Sequence, residues 1–201
     1  MVADGKSSAE VLSFISKASR RPFNRVLASH LARIGVTPNI TLDSQGGWQF
    51  GNTSRAQRYA AAYNPKTDTV ALFTPRDAER HALHEFTHAA TLKAIAAGGA
   101  ASVQMRALFL YVKRNGSLDG QYGMTNLDEF VAEAFSNPKF QQALKAIPAP
   151  AGSGLKSAWH WFVRAVARIL GLRTAAQETA LDRAMTVGGE LMRENAALLE
   201  R

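Results

Sequence analysis

Cysteine is absent from the chain, which excludes disulfide cross-links and thiolate metal ligands, so any metal must be held by histidine and carboxylate. Long apolar runs are missing too. No stretch approaches the roughly 18 apolar residues that a membrane-spanning helix needs, and no membrane partner is expected. Nor is there any block of like charge. The 24 basic and 16 acidic residues give a formal net charge of +8, spread through Arg20, Arg21, Arg25, Arg33, Arg55, Arg58, Arg76 and Arg80 and a later C-terminal group. Such a spread is the mark of a solvated surface, with contact to an acidic substrate or to nucleic acid left open. Met1–Ser8 is hydrophilic with no apolar h-region behind it, which predicts a chain that starts in the cytoplasm. Apolar material is plentiful: 46% of the 201 residues are hydrophobic, enough for one main core and a small helical appendage.

Against this background one stretch carries chemistry. His84-Glu85-Phe86-Thr87-His88 places two imidazoles one helical turn apart with a carboxylate beside the first, the His-Glu-x-x-His zinc signature. On a helix both histidines project from one face and can share a Zn²⁺, while the Glu can reach a water on the metal. The surrounding residues predict that helix. Thr74 reads as N-cap, Pro75 as first helical residue and Asp77 as the partner in a capping box. Gly98-Gly99 reads as the stop. Ala82, Leu83, Phe86, Ala89, Ala90, Leu92 and Ile95 supply an apolar pattern between them. His81 shares the face, but it lies about 10.5 Å along the axis from His88 at 1.5 Å per residue, too far for both to converge with His84 on one ion.

A third ligand must come from elsewhere. Glu129 and Glu133 stand one turn apart on a second predicted helix, and spacing alone leaves the choice between them open. Tyr122 precedes this helix in a loop flanked by Gly120 and Gly123. Over His84–His88 and Tyr122–Pro138 the sequence resembles the gluzincin metallopeptidases. It is similar to the catalytic core of anthrax lethal factor, and more so to metallopeptidase domains embedded in large polyvalent phage and mobile-element proteins. The resemblance implies that His84, His88 and Glu129 hold Zn²⁺ and that Glu85 is the general base of a zinc-dependent endopeptidase acting on protein or peptide. It also implies that Tyr122 lies near the cleft, where its phenol can donate to the oxyanion. Glu133 then suits the acceptor for the outer N–H of a zinc-bound histidine. Excision from a parent polyprotein, and carriage in a virion or by injection, are compatible with the same resemblance. The competing expectation is a catalytically silent module of the same fold, acting in binding or structure near nucleic acid.

The rest of the chain predicts an α+β fold, a small antiparallel sheet packed on the zinc helix with a mostly helical remainder. Ser8–Ala18 and Pro22–Ile34 read as helices, and His30 near the second apolar face reads as packed rather than as a ligand. Thr37–Leu42 and Trp48–Phe50 read as a hairpin, and Gln57–Tyr63 and Thr69–Phe73 as two strands about the turn at Asn64–Asp68. The last strand leads into the zinc helix, where metallopeptidases bind substrate as an added strand. Ser102–Arg114 reads as a connecting helix ended by Asn115-Gly116. The catalytic domain is assigned to 1–147, a linker to the Pro/Gly-rich 148–154 and a helical appendage to 155–201. Within that appendage Leu155–Leu170 is amphipathic, with Lys156, His160, Arg164 and Arg168 in a basic stripe, and Thr174 opens a last helix.

Overall fold

The computed structural model of the chain describes residues 5–42, 60–73 and 76–169. Helix α1 (Ser8–Ala18) opens on a capping box between Ser7 and Glu10, which satisfies two of the amides that a helix start leaves without partners. Its Val11, Leu12 and Ile15 are buried at helical spacing and pack on α2 (Pro22–Arg33). Pro22 begins α2, where a missing N–H costs nothing.

Three short strands follow: β1 (Asn39–Leu42), β2 (Ala61–Asn64) and β3 (Thr69–Leu72), in the order β1-β3-β2. β3 is central and buried at every position. The expected α+β class holds, but the sheet is mixed rather than antiparallel, because β2 runs antiparallel to β3 and β1 runs parallel to it. Alternating side chains report which face is buried and carry no information about strand direction. The pairing of Thr37–Leu42 with Trp48–Phe50 cannot be assigned, since the second segment lies outside the described residues.

The register of β2 has a consequence for the cleft. Phe73 N donates to Ala60 O at 2.9 Å, so in steps of two Ala62 and Asn64 face β3 with their backbone groups. Ala61 and Tyr63 therefore direct their N–H and C=O away from β3. Among the described residues β2 is an edge strand.

α3 (Ala78–Ala96) packs across β2 and β3. It begins at Ala78, three residues later than Pro75 predicted, and its N-cap is Asp77 in the left-handed region (φ 52°) without a side-chain cap bond; Thr74 and Pro75 lie outside the described residues. Aspartate tolerates that conformation better than most residues. The first turn is held from outside, as Glu79 accepts from Ser19 Oγ and from Asn24 Nδ2. At the other end Gly98 adopts φ 70° and stops the helix as expected. α4 (Ala100–Asn115) follows two residues earlier than its predicted start.

The remaining helices are α5 (Leu127–Ser136), α6 (Pro138–Ala146) and α7 (Ala158–Ile169). A single 3₁₀ turn, Tyr122–Met124, precedes α5. Asn126 caps α5 by accepting from the Glu129 amide at 2.9 Å. Phe130 on α5 is the hub of the aromatic core, edge-on to Phe109, Phe140 and Phe162. Phe162 and Trp159 of α7 are fully buried in this cluster. The stretch 148–154 does not separate α7 from the core: Ala158 N donates to Ile147 O at 2.9 Å and Ala149 N to Lys156 O at 3.4 Å, closing the Pro/Gly-rich segment into a surface loop. Residues 170–201, with the helix expected from Thr174, lie outside the described residues. Among the described residues no helix is long and apolar enough to cross a membrane.

Candidate metal centre

Two helices build the site. α3 supplies His84, Glu85 and His88, and α5, packed against it, supplies Glu129. Glu129 Oε2 lies 3.1 Å from His84 Nε2 and 3.4 Å from His88 Nε2. One donor atom from each of the three residues lies within 4.8 Å of the others. Donors held about 2.0–2.2 Å from one ion are at most roughly 4.4 Å apart, so the group closes on an ion with little movement. The His84/His88/Glu129 cluster could therefore bind a metal ion. A borderline cation such as zinc suits two imidazoles and a carboxylate, but the donor set alone does not fix the element. His81 stands half-buried outside the cluster, as its distance along the helix predicted.

The hydrogen bond behind His84 fixes its tautomer. Ser136 Oγ donates its single proton to Ala132 O at 2.8 Å, so at 3.0 Å from His84 Nδ1 it must act as acceptor. Nδ1 then carries a ring proton, so a metal ion in the centre would meet the Nε2 lone pair. Glu133, expected in this role, is buried and nearby, with Oε1 3.5 Å from His84 Nδ1. Its carboxylate is also engaged by Arg80 Nη2 at 3.2 Å and Asn137 Nδ2 at 2.6 Å. Ser136 is thus the nearer partner. It was not singled out in the sequence, although it lies seven residues after Glu129, two helical turns on along the same face.

Electrostatics follow from this convergence. Burial works against the Glu129 carboxylate, yet hydrogen bonds from His84 and His88 and their charge hold it well below the usual carboxylate range. Burial equally opposes a charged His88, and the bond to Glu129 together with the nearby Glu85 pushes its pKa up. The two partners shift in the opposite senses expected of a hydrogen-bonded imidazolium–carboxylate pair. Glu85 is buried, which raises its pKa; the neighbouring histidines and the backbone N–H of Tyr63 pull the other way.

Glu85, His88, Glu129 and Tyr122 line an open cleft of about 270 Å³ whose opposite wall is β2, from Ala61 to Tyr63. Tyr122 is 53% exposed and its ring centroid lies 6.4 Å from that of His84, so it is a cleft residue and not part of the core. Gly123 makes that placement possible. A Cβ there would stand 2.9 Å from the Phe140 ring and 3.0 Å from Glu133 Cβ, closer than side chains approach. Asp128, Asn126 and Leu92 also line the cleft and had not been anticipated; Asp128 is next to a proposed ligand, and its pKa is raised by burial.

No protein-family model, curated protein or solved structure matches this chain.

Proposed function

We propose that the protein is a zinc-dependent endopeptidase of the gluzincin type, with His84, His88 and Glu129 holding the metal and Glu85 as general base. The observation that carries this reading is the convergence of two Nε2 atoms and a carboxylate oxygen in a cleft that also contains the Glu85 carboxylate and is walled by a strand edge. A metal that only stapled α3 to α5 would need no carboxylate base in an open cleft, which weighs against the silent-module reading.

The chain's own groups divide the work of hydrolysis. The outward backbone of Ala61 and the C=O of Tyr63 pair an extended peptide as an added strand, a mode that recognises main chain and tolerates many side chains, while the Tyr63 N–H stays with Glu85. Zinc, when bound, supplies a Lewis acid that acidifies a water and polarises the scissile carbonyl. Glu85 takes a proton from the attacking water as its oxygen adds to the carbonyl carbon, and returns it to the amide nitrogen as the C–N bond breaks. Tyr122 donates a hydrogen bond to the carbonyl oxygen as it gains charge. Ser136 and Glu133 hold His84 in place throughout.

The test is cleavage of an unstructured protein by the purified chain. Activity should be abolished by a chelator and restored by about one equivalent of Zn²⁺, and His84→Ala, His88→Ala and Glu129→Ala should each lose both metal and activity. Full zinc binding by Glu129→Ala, with loss in Glu133→Ala, would overturn the ligand assignment.

A further inference from the structure

The cleft is acidic although the chain as a whole carries a formal charge of +8. Glu85, Asp128 and Glu129 line it, and no lysine or arginine stands among the described residues of its wall. Glu129 lies against His84 and His88, and Glu85 accepts from the Tyr63 N–H. Asp128 is different. Its charged neighbours His88, Glu129 and Arg106 act on it through space, and it makes no hydrogen bond or ion pair among the described residues. A divalent ion in the centre would be balanced by Glu129 and Glu85, which leaves the Asp128 charge over.

Two other duties for Asp128 fit the geometry poorly. Adjacent residues on a helix point about 100° apart, and among the described residues the donor atoms that converge come from His84, His88 and Glu129, so Asp128 is not a further ligand. Nor does the start of α5 need it. Asn126 already caps that helix, and a carboxylate in the first turn meets the helix dipole equally well from open solvent. Asp128 is instead partly buried, a cost that a cation would offset. Its surroundings say what form that cation takes. Tyr122 stands at the His84 end of the cleft, whereas Asp128 acts on His88 and shares the wall with Leu92, one helical turn beyond His88 on α3. An aliphatic surface beside an unpaired carboxylate matches a side chain with a methylene stem and a charged tip.

We propose that the His88 end of the cleft selects peptides with a lysine or arginine beside the scissile bond, the stem lying along Leu92 and the cation meeting Asp128. This selectivity rests on the peptidase reading above, and the experiment separates the two. The probes are an unstructured peptide with one lysine and no other charged side chain, and its counterpart with norleucine in place of the lysine, which keeps the stem and lacks the cation. Both are acetylated and amidated, so that no terminal charge contributes. Wild type, Asp128→Asn and Asp128→Glu are compared, each loaded with zinc.

Wild type should cut beside the lysine and favour that peptide about 10–100-fold in kcat/KM. Asp128→Asn should bring the ratio near one, and Asp128→Glu should restore part of it. Each ratio compares two peptides on the same enzyme, so a general loss of stability or of metal falls on both and leaves the ratio unmoved. A ratio near one in wild type, or an undiminished ratio in Asp128→Asn, overturns the selectivity and leaves the peptidase reading standing. If zinc-loaded wild type cuts neither peptide, the peptidase reading fails and binding decides the cation site. Fluorescence anisotropy should then show the lysine peptide bound about tenfold more tightly than its counterpart by wild type and equally by Asp128→Asn; equal affinities in wild type overturn the site as well.

Discussion

Both nitrogens of His84 are committed, one to a hydroxyl that can only accept and one to the centre shared with Glu129. Removing the outer partner should loosen the ring without touching a ligand. Ser136→Ala is expected to weaken zinc binding about 10–100-fold while costing only about 0.5–1.5 kcal/mol of stability. Competition with a chromogenic chelator measures the first and denaturant unfolding the second; unchanged affinity would pass the orienting role to Glu133. Tyr122 makes a different prediction, because its phenol is exposed at the cleft and not buried. Tyr122→Phe should keep zinc and melting temperature and lower kcat roughly 10²-fold with little change in KM. A wild-type kcat in the zinc-loaded variant would remove Tyr122 from the chemistry.

At the scale of elements, the site depends on how closely three pieces approach: α3, α5 and the 3₁₀ turn before α5. Gly123 sets the last of these approaches, since the Phe140 ring that a Cβ would meet is itself almost fully buried and cannot swing away. Gly123→Ala should therefore cost about 1–3 kcal/mol and lower kcat by displacing Tyr122. A melting temperature and kcat both equal to wild type would show that the turn can shift freely. The two helices of the candidate centre were legible in the sequence because residue types able to hold a metal, at helical spacing, leave few alternatives: His84 with His88, and Glu129 or Glu133 on a second helix. Other features carried no comparable signature. A serine such as Ser136 near a helix end serves many purposes. The direction of β1 depends on a partner about thirty residues away, and side-chain alternation along Asn39–Leu42 does not encode it. The start of α3 differs from the expected one because Thr74-Pro75 reads in sequence as a good local cap, whereas Glu79 ties the observed first turn to Ser19 and Asn24.

At the scale of the whole molecule, the Pro/Gly-rich loop at 148–154 has the same composition whether it tethers two units or turns the chain back. The decision was made by Trp159 and Phe162, whose burial places α7 in the core beneath α5. Trp159→Ala should thus destabilise the entire protein by about 3–5 kcal/mol and lower the midpoint of metal-centre loss and of unfolding together. If the metal centre melted as in wild type while only α7 signals changed, α7 would be an appendage after all. The core in turn fixes α5 against α3, and with them the distance between the His84/His88/Glu129 cluster, Glu85 and the strand edge. The claim that this arrangement is a working peptidase rests most directly on Glu85. The decisive measurement is peptide turnover by Glu85→Gln loaded with one equivalent of Zn²⁺, beside wild type under the same conditions. The account predicts retained zinc, a retained fold and turnover reduced to background, because the amide keeps the shape and cannot take a proton; turnover at the wild-type rate would contradict it.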